Sequence, residues 1–239
     1  MDITVVLPTY NERANIIPLI ERGLAAMATY DVEMLVVDDD SPDGTWQVVA
    51  DLAQRNPRVR LIRRTAERGL TSAIATGIAN ARGGRIAWMD CDLSMPPEDL
   101  QRLAQALDAG ADLAAGSRYV RGGKDVGHSW MALAFSRTIN HAATLLLDHR
   151  ITDYTSGFIM GRREVFERIS LRGDYGEYCI DLLYRAARAG FRVVEVPYVC
   201  VPRETGESKT ATNLWGYFKR GWKYVLTILR LRLGRYSVT

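Results

Sequence analysis

The stretch Arg85-Ile86-Ala87-Trp88-Met89-Asp90-Cys91-Asp92 joins an apolar run to two carboxylates that flank a single residue. The apolar run has the length and composition of a buried β-strand. Because side chains alternate along a strand, Asp90 and Asp92 are expected to point the same way. Two like charges so close together are costly unless a cation lies between them, and hard divalent cations take oxygen ligands. An isolated Asp-x-Asp pair is more often a solvated strand end, so the surrounding sequence decides between a metal site and a surface turn.

Strand-like and helix-like segments alternate around this stretch through the first 116 residues. Apolar runs predict strands at residues 3–8, 34–37, 59–62, 86–89 and 112–115. Helical periodicity predicts helices at residues 14–27, 44–54, 70–81 and 97–107. This alternation is typical of an α/β fold with a mostly parallel central sheet and helices on both faces.

Polar clusters follow four of the predicted strands. They are Pro8-Thr9-Tyr10-Asn11-Glu12, Asp38-Asp39-Asp40-Ser41, Asp90-Cys91-Asp92 and Gly116-Ser117-Arg118. The carboxyl ends of parallel strands form the ligand-binding edge of such sheets, so the four clusters are expected to meet. The chain has no G-x-G-x-x-G after the first strand, no P-loop and no G-x-S-x-G elbow, which disfavours three common classes of α/β enzyme. A carboxylate-rich edge fits a metal-bridged nucleotide diphosphate.

The second half of the chain is less regular. We predict helices at residues 130–147 and 177–189, strands at 155–160 and 192–196, a polar loop at 203–212 and an amphipathic helix at 214–233. Asp153, just before the strand predicted at 155–160, is interpreted as structural support for that segment.

The positive charge is concentrated in the tail. The chain has 31 basic and 28 acidic residues, but seven basic residues and no acidic one follow Ser208. The remaining 24 basic and 28 acidic residues leave the body at about −4. Because the basic patch is narrow and the body is acidic, nucleic acid is not the expected partner.

Length and composition favour one domain with a large core in the cytoplasm. The 239 residues include three cysteines without a C-x-x-C pair, which predicts reduced thiols, and three histidines without zinc-site spacing. No signal-peptide pattern follows the initiating methionine, and no window of 18 apolar residues predicts a membrane-spanning helix.

The motifs, read in order, resemble a known family. They are VVLPTYNE, VVDDDSPDGTW, RRTAERGLTSA, MDCDLSMPP, GSRYVRGG, YTSGF, VVEVP and GESK. Together they resemble the inverting family 2 glycosyltransferases, and more narrowly the polyprenyl-phosphate (dolichyl-phosphate) mannosyltransferases without transmembrane helices. The resemblance covers essentially residues 1–222. It implies a GT-A nucleotide-diphospho-sugar transferase fold, a GDP-mannose donor, a polyprenyl phosphate acceptor, inversion and a bound Mg²⁺ or Mn²⁺.

The same resemblance implies roles for individual residues. The donor-binding residues would be Pro8, Tyr10, Glu12, Val37, Asp39, Asp90, Cys91, Asp92, Ser94, Arg118, Arg203 and Lys209. The metal ligands would be Asp90, Asp92 and Ser94, although the family often has Gln at the position of Ser94. Catalysis would depend on Asp92, Arg118, Arg203 and Lys209. The acceptor would be held by Ser117, Arg137 and His141.

The implied acceptor determines the expected mechanism. A lipid monophosphate has a second pKa of about 6, so it is largely a dianion at neutral pH and attacks without a protein general base. The enzyme would position the reactants and neutralise charge on the departing diphosphate. Two alternatives stay open: transfer from UDP-glucose or another UDP-sugar to the same lipid, and a non-catalytic nucleotide-sugar-binding module.

The last residues suggest a membrane surface. We assign residues 1–210 to the catalytic domain and residues 211–239 to a basic amphipathic helix. Aromatic residues interleaved with Lys219, Arg220 and Lys223 are typical of an interfacial helix on anionic lipid, here at the cytoplasmic face. The alternative is a core-packing or dimer-forming helix with a solvated basic face.

Overall fold

The computed structural model describes residues 1–203 and the C-terminal helix with its end, residues 214–234. Its strands are β1 (Ile3–Thr9), β2 (Val32–Asp38), β3 (Val59–Arg63), β4 (Arg85–Trp88), β5 (Leu113–Ser117), β6 (Lys124–Asp125), β7 (Ile159–Arg162), β8 (Val193–Pro197) and β9 (Val199–Cys200). Its helices are α1 (Arg13–Ala26), α2 (Thr45–Arg55), α3 (Leu70–Asn80), α4 (Leu100–Asp108), α5 (Trp130–Leu146), α6 (Arg163–Arg168), α7 (Glu177–Arg188) and α8 (Leu214–Arg232).

Seven strands form the central sheet in the order β3-β2-β1-β4-β7-β5-β8. All neighbours are parallel except β7, which runs antiparallel to β4 and to β5. This confirms the mostly parallel α/β sheet. The carboxyl ends of β1, β2 and β4 therefore lie side by side, and this edge carries the polar clusters.

Helices cover both faces of the sheet. Residues Ile3, Val5 and Leu7 of β1 join a core cluster with α1, α2 and α4. The intervening Val6 joins a second cluster with α3, α5, α7 and α8. Burial on both faces explains why the strands are continuous apolar runs and lack the polar alternation of a half-exposed sheet.

The second half contains the departures from the predicted elements. The strand expected at residues 155–160 begins only at Ile159, because Thr155 and Ser156 use their polar groups in side-chain hydrogen bonds at the edge of the sheet. The helix α6 was not predicted. Nor was the two-stranded sheet of β6 and β9, whose two-residue strands are too short to show periodicity.

The helix α8 packs against α5 and α7, and its residues Ile228 and Leu231 are buried in the second core cluster. Its exposed side chains include Trp222 and Leu229, and Leu233 directly after the helix is exposed as well. Within the described parts of the chain, no helix is long and apolar enough to span a bilayer.

Candidate active site

A cavity of about 730 Å³ opens at the carboxyl edge of the sheet. Ten residues predicted to bind the donor line it, namely Pro8, Tyr10, Glu12, Asp39, Asp90, Cys91, Asp92, Ser94, Arg118 and Arg203. Val37 does not, because it is fully buried in β2 and packs in the core. Lys209 and the loop around Glu207 lie outside the described residues.

The segment after β2 builds one wall of the cavity. Asp38 accepts hydrogen bonds from the Thr9 hydroxyl (2.7 Å) and the Ser41 hydroxyl (2.7 Å), which ties the ends of β1 and β2 together. Asp39 accepts from Arg64 Nε (2.7 Å) and from the backbone N–H of Gly69 (2.7 Å). Gly69 has a φ of 150°, a conformation that favours glycine, and it begins α3. The predicted polar cluster after β2 thus orders two segments around the cavity, the end of β1 and the loop from Arg64 to Gly69.

Asp90 and Asp92 lie just beyond the end of β4, in the loop that follows it. Between Asp92 and Ser94, Leu93 has a φ of 64°, a strained conformation for a leucine that turns the chain sharply. Asp92 Oδ1 accepts from both the backbone N–H (3.0 Å) and the hydroxyl (2.6 Å) of Ser94. The turn therefore holds Asp92 and Ser94 against each other at the cavity wall.

The acidic pair carries unfavourable electrostatics that Arg203 partly relieves. Burial, together with the neighbouring carboxylate of Asp92, raises the pKa of Asp90 to about 7. The guanidinium of Arg203 lies 2.7 Å from Asp92 Oδ2 and 3.6 Å from Glu12 Oε1. Arg203 thus places its positive charge beside the carboxylates of Asp92 and Glu12, and Asp92 also accepts from the Ser94 hydroxyl. This hard-oxygen donor set fits Mg²⁺ or Mn²⁺.

Arg118 is held by other carboxylates. Its Nε (2.8 Å) and one terminal nitrogen (2.8 Å) donate to Asp153, the other terminal nitrogen lies 3.3 Å from Asp125 Oδ2, and Thr155 accepts a further bond of 2.8 Å. Asp153 is fully buried, in agreement with its interpretation as structural support. Arg118 still lines the cavity, but its fixed orientation limits it to one position on the wall.

The three residues predicted to bind the acceptor do not meet in the structure. Ser117 is buried in β5, where its hydroxyl accepts from the backbone N–H of Tyr119 (3.3 Å). Arg137 and His141 lie one turn apart on α5, in a separate open groove with Leu145 and Leu146. Neither these two nor Ser117 lines the main cavity. The assignment of Ser117, Arg137 and His141 to one acceptor site therefore stays a prediction, for which the structure places Arg137 and His141 together and Ser117 apart from them.

A second, smaller cavity of about 160 Å³ adjoins the first. It shares Arg118, His128, Thr155 and Tyr175 with the main cavity. Its remaining walls are Asp125 of β6, Ser136 and neighbouring residues of α5, and Tyr224 of α8. Sequence reasoning missed these residues because no local motif connects α5, the loop before α7 and α8.

An α/β sheet with paired carboxylates and Arg203 at its carboxyl edge defines the class of glycosyltransferases with a GT-A fold. The fold matches glucosyl-3-phosphoglycerate synthase from Mycobacterium tuberculosis, solved with Mn²⁺, UDP and glucosyl-3-phosphoglycerate. The TM-score is 0.71 at 20% identity, over 98% of this chain and 80% of that one. Residues 4–170 match the model of Glycosyl transferase family 2, and the chain belongs to this family.

Two relatives are more similar in sequence. Polyprenol monophosphomannose synthase of Mycolicibacterium smegmatis is 47% identical over 212 residues, which is 86% of this chain and 79% of that protein. Dolichol-phosphate mannosyltransferase of Pyrococcus furiosus is 38% identical over 211 residues, or 87% of this chain and 59% of the relative. Both similarities cover more of the chain than the family model does.

Proposed function

We propose that the protein transfers a mannosyl group from GDP-mannose to the phosphate of a polyprenyl phosphate, with inversion at the anomeric carbon. The product is polyprenyl-phosphate-mannose. The names of both relatives support the mannosyl group and the lipid phosphate. The structural observation that carries the proposal is the meeting of two cavities at Arg118, one lined by the acidic pair and the other by α5 and α8.

The donor occupies the larger cavity in this proposal. Its guanosine end lies along Pro8, Tyr10 and Asp39, where Arg68 stacks near the Tyr10 ring, 5.0 Å from its centroid. Its diphosphate lies near Asp92 and Arg203. Arg203 then exchanges its contact with Asp92 for phosphate oxygens, with Lys209 contributing from the segment outside the described residues.

A divalent cation belongs to this proposal. Asp90, Asp92 and Ser94 would hold Mg²⁺ or Mn²⁺, because the Ser94 hydroxyl contacts Asp92, Asp90 lines the same cavity, and Asp92 already attracts a positive charge from Arg203. When bound, the metal supplies Lewis-acid stabilisation of the charge on the departing diphosphate. The protein's own contribution would be to hold these three oxygen ligands on the wall of the larger cavity, beside the diphosphate.

The acceptor phosphate enters through the smaller cavity. There it meets Arg118, whose charge is balanced by Asp153 and which therefore positions the phosphate more than it neutralises it. The hydroxyls of Thr155 and Ser136, each within hydrogen-bond distance of Arg118, offer neutral contacts to phosphate oxygens. The dianion is already nucleophilic at neutral pH, so the transfer needs no general base from the protein.

The lipid tail requires access from a membrane surface. Exposed apolar side chains lie on both α5 and α8, which pack together: Trp130, Leu145 and Leu146 on α5, and Trp222, Val225 and Leu229 on α8, with Leu233 directly after α8. Exposed basic residues accompany them, including Arg137 and Arg230. We assign residues 211–239 to a membrane-associated element that works with α5, next to the catalytic domain at residues 1–210, on the cytoplasmic face of an anionic membrane.

Calorimetry with two donors tests the proposal directly. GDP-mannose and UDP-glucose are titrated into the protein with and without Mn²⁺, and into the Asp92→Ala variant. We expect metal-dependent binding of GDP-mannose, weakened in the variant, and no comparable binding of UDP-glucose. Preference for the UDP-sugar would overturn the assigned donor, and no binding of either would favour a non-catalytic role.

A further inference from the structure

Three metal-binding side chains meet where the main cavity joins the smaller one, and the proposed transfer gives none of them a direct role: His128 and Cys200 line the main cavity, and Asp125 and His128 line the smaller one. Asp125 ends β6 and Cys200 ends β9, and the two residues are paired in the parallel register of that small sheet. His128 follows in the loop after β6. Its Nδ1 lies 3.0 Å from each carboxylate oxygen of Asp125 and 3.8 Å from Cys200 Sγ. Within the part of the chain that the structure describes, this is the group whose three ligand atoms fall within 4.8 Å of one another.

These separations are close to those of a tetrahedral site. With zinc bonds of about 2.3 Å to sulfur and about 2.0 Å to nitrogen or oxygen, tetrahedral angles place sulfur about 3.5 Å from nitrogen, and nitrogen about 3.3 Å from oxygen. Both observed distances differ from these values by only a few tenths of an ångström. Small rotations of the His128 ring and the Asp125 carboxylate would close the site around an ion, with no change in the backbone.

Burial and supporting contacts also fit a built site. The side chains of Asp125 and Cys200 are almost fully buried, whereas His128 is 43% exposed and faces the cavity. Asp125 Oδ1 is oriented by the backbone N–H groups of Gly127 (3.3 Å) and His128 (3.2 Å), and Oδ2 by Arg118 (3.3 Å). Such outer contacts fix the direction of a ligating carboxylate, and the exposed side leaves room for water as a fourth ligand.

We propose that Asp125, His128 and Cys200 form a site for Zn²⁺, separate from the oxygen-ligand site at Asp90, Asp92 and Ser94. A thiolate and an imidazole select a borderline-soft ion, whereas a set of carboxylate and hydroxyl oxygens selects Mg²⁺ or Mn²⁺. The two neighbouring sites would therefore be filled by different metals. The ion would fasten the loop after β6 to β9, three residues before Arg203.

Zinc binding at this site carries a cost that the experiment must take into account. Burial raises the pKa of the Cys200 thiol to about 12, so the thiol is protonated in the metal-free protein at neutral pH. The ion replaces this proton when the sulfur–metal bond forms, and the proton leaves to solvent. Measurements therefore belong at pH 8 or slightly above, in a buffer that does not itself chelate zinc.

The test uses Co²⁺ as a spectroscopic probe and Zn²⁺ in competition with a chromogenic chelator. The variants are Cys200→Ser and His128→Gln, and the matched controls are Cys91→Ser, a cavity-lining cysteine, and Asp92→Asn. We expect one equivalent of zinc and a thiolate-to-cobalt charge-transfer band in the wild type and in both controls. The Cys200 variant should lose the band, and both ligand variants should bind zinc at least 10-fold more weakly.

Other outcomes would overturn the proposal. A cobalt band that survives in Cys200→Ser, or that disappears in Cys91→Ser, would place the ion elsewhere. The same conclusion follows if Asp92→Asn loses the zinc and the Cys200 variant keeps it. Absence of the band in the wild type overturns the site altogether. Because His128 lies in an exposed loop, its variant should fold normally and separates loss of ligand from loss of structure, as circular dichroism verifies.

Discussion

Arg203 stands out at the scale of single residues because it contacts Asp92 in the position where the proposed reaction needs a metal and a diphosphate. We predict that Arg203→Gln lowers kcat/KM for the nucleotide sugar by about 100-fold, the usual loss when one charge-stabilising donor is removed. The same change removes a competing cation from Asp92, so it should strengthen Mn²⁺ binding in the absence of donor. Steady-state kinetics and manganese titrations measure the two effects.

The matched control is Arg63→Gln, which breaks an ion pair with Asp40 and a stacking contact with Trp46 outside the cavity. It should leave both quantities nearly unchanged. If Arg203→Gln changed neither the kinetic constant nor the metal affinity, the assignment of Arg203 to the diphosphate would be wrong.

The raised pKa of Asp90 leads us to predict an unusual pH dependence of the free energy of unfolding. Its folded-state pKa of about 7 lies above the ordinary value for aspartate, so its stabilising contribution is present below about pH 4 and is lost as the pH rises through 7. One pKa unit corresponds to about 1.4 kcal/mol, so Asp90→Asn should raise the free energy of unfolding at pH 8 by roughly 2–4 kcal/mol in metal-free buffer. The gain should vanish near pH 4.

Denaturant unfolding at the two pH values measures this effect. Asp40→Asn is the control, since Asp40 is an acidic residue of the same sheet edge that pairs with Arg63 in a partly exposed site. That variant should lose at most about 1 kcal/mol at pH 8. A destabilised Asp90→Asn at pH 8 would mean that the wild-type carboxylate is not strained by burial.

Removing the carboxylate of the Arg118–Asp153 pair is expected to destabilise the protein, whereas removing that of Asp90 is expected to stabilise it. Both side chains are almost completely buried, so Asp153→Ala leaves an uncompensated guanidinium and should destabilise the protein by about 3–5 kcal/mol. Asp148→Ala, which removes the partner of the exposed Arg150, should cost far less. Equal losses in urea unfolding would contradict the structural role of Asp153.

Sequence reasoning reached some of these residues and not others. The position of Asp90, Asp92 and Ser94 at the cavity was predictable, because these residues are local in sequence and follow a recognisable buried strand. The ion pair between Arg118 and Asp153 was not predictable from the sequence. The two residues are 35 positions apart, and nothing local shows which carboxylate an arginine will contact. The Asp125, His128 and Cys200 cluster was missed for the same reason, since 72 positions separate its histidine from its cysteine.

At the scale of elements, buried parallel strands and the helices between them were largely predictable. Their continuous apolar runs and the regular periodicity of α1 to α4 are strong local signals. The antiparallel β7 was harder, because its preceding residues 155–158 look extended but serve the cavity. The pairing of β6 with β9 depends entirely on tertiary contacts and has no local signal.

The face formed by α5 and α8 leads to a prediction at this scale. Replacing Lys219, Arg220 and Lys223 by Gln removes three charges worth on the order of 1 kcal/mol each at an anionic surface. Affinity for phosphatidylserine-containing liposomes should therefore fall roughly 100-fold, while any binding to neutral liposomes stays the same. Cosedimentation measures both.

The control for this prediction replaces three exposed basic residues far from α8 in sequence, Arg55 at the end of α2 and Arg58 and Arg82 in loops, by Gln. Its net charge matches that of the test variant, so a nonspecific charge effect would weaken both proteins equally. Unchanged cosedimentation of the tail variant would contradict the membrane role and favour α8 as a purely packing element, since Ile228 and Leu231 already join the core.

At the scale of the whole molecule, the fold class and the cavity that we propose for the donor were predictable, and the smaller cavity that we propose for the acceptor was not. The donor side is assembled from consecutive strand ends, which one sheet edge brings together by topology. The acceptor side is assembled from α5, the loop before α7 and α8, so it depends on how three distant segments pack. We propose the cavity at Arg118 and Ser136 for the acceptor phosphate, whereas the sequence predicted Arg137 and His141, which lie in a separate groove.

One measurement tests the central claim most directly. Purified protein is incubated with labelled GDP-mannose, a polyprenyl phosphate and Mn²⁺, and the lipid extract is analysed for mannose and for its anomeric configuration. We predict mannosyl-phosphoryl-polyprenol with the configuration inverted relative to the donor, formed by the wild type and not by Asp92→Ala. A lipid product with retained configuration, or transfer from UDP-glucose in place of GDP-mannose, would contradict the proposed function.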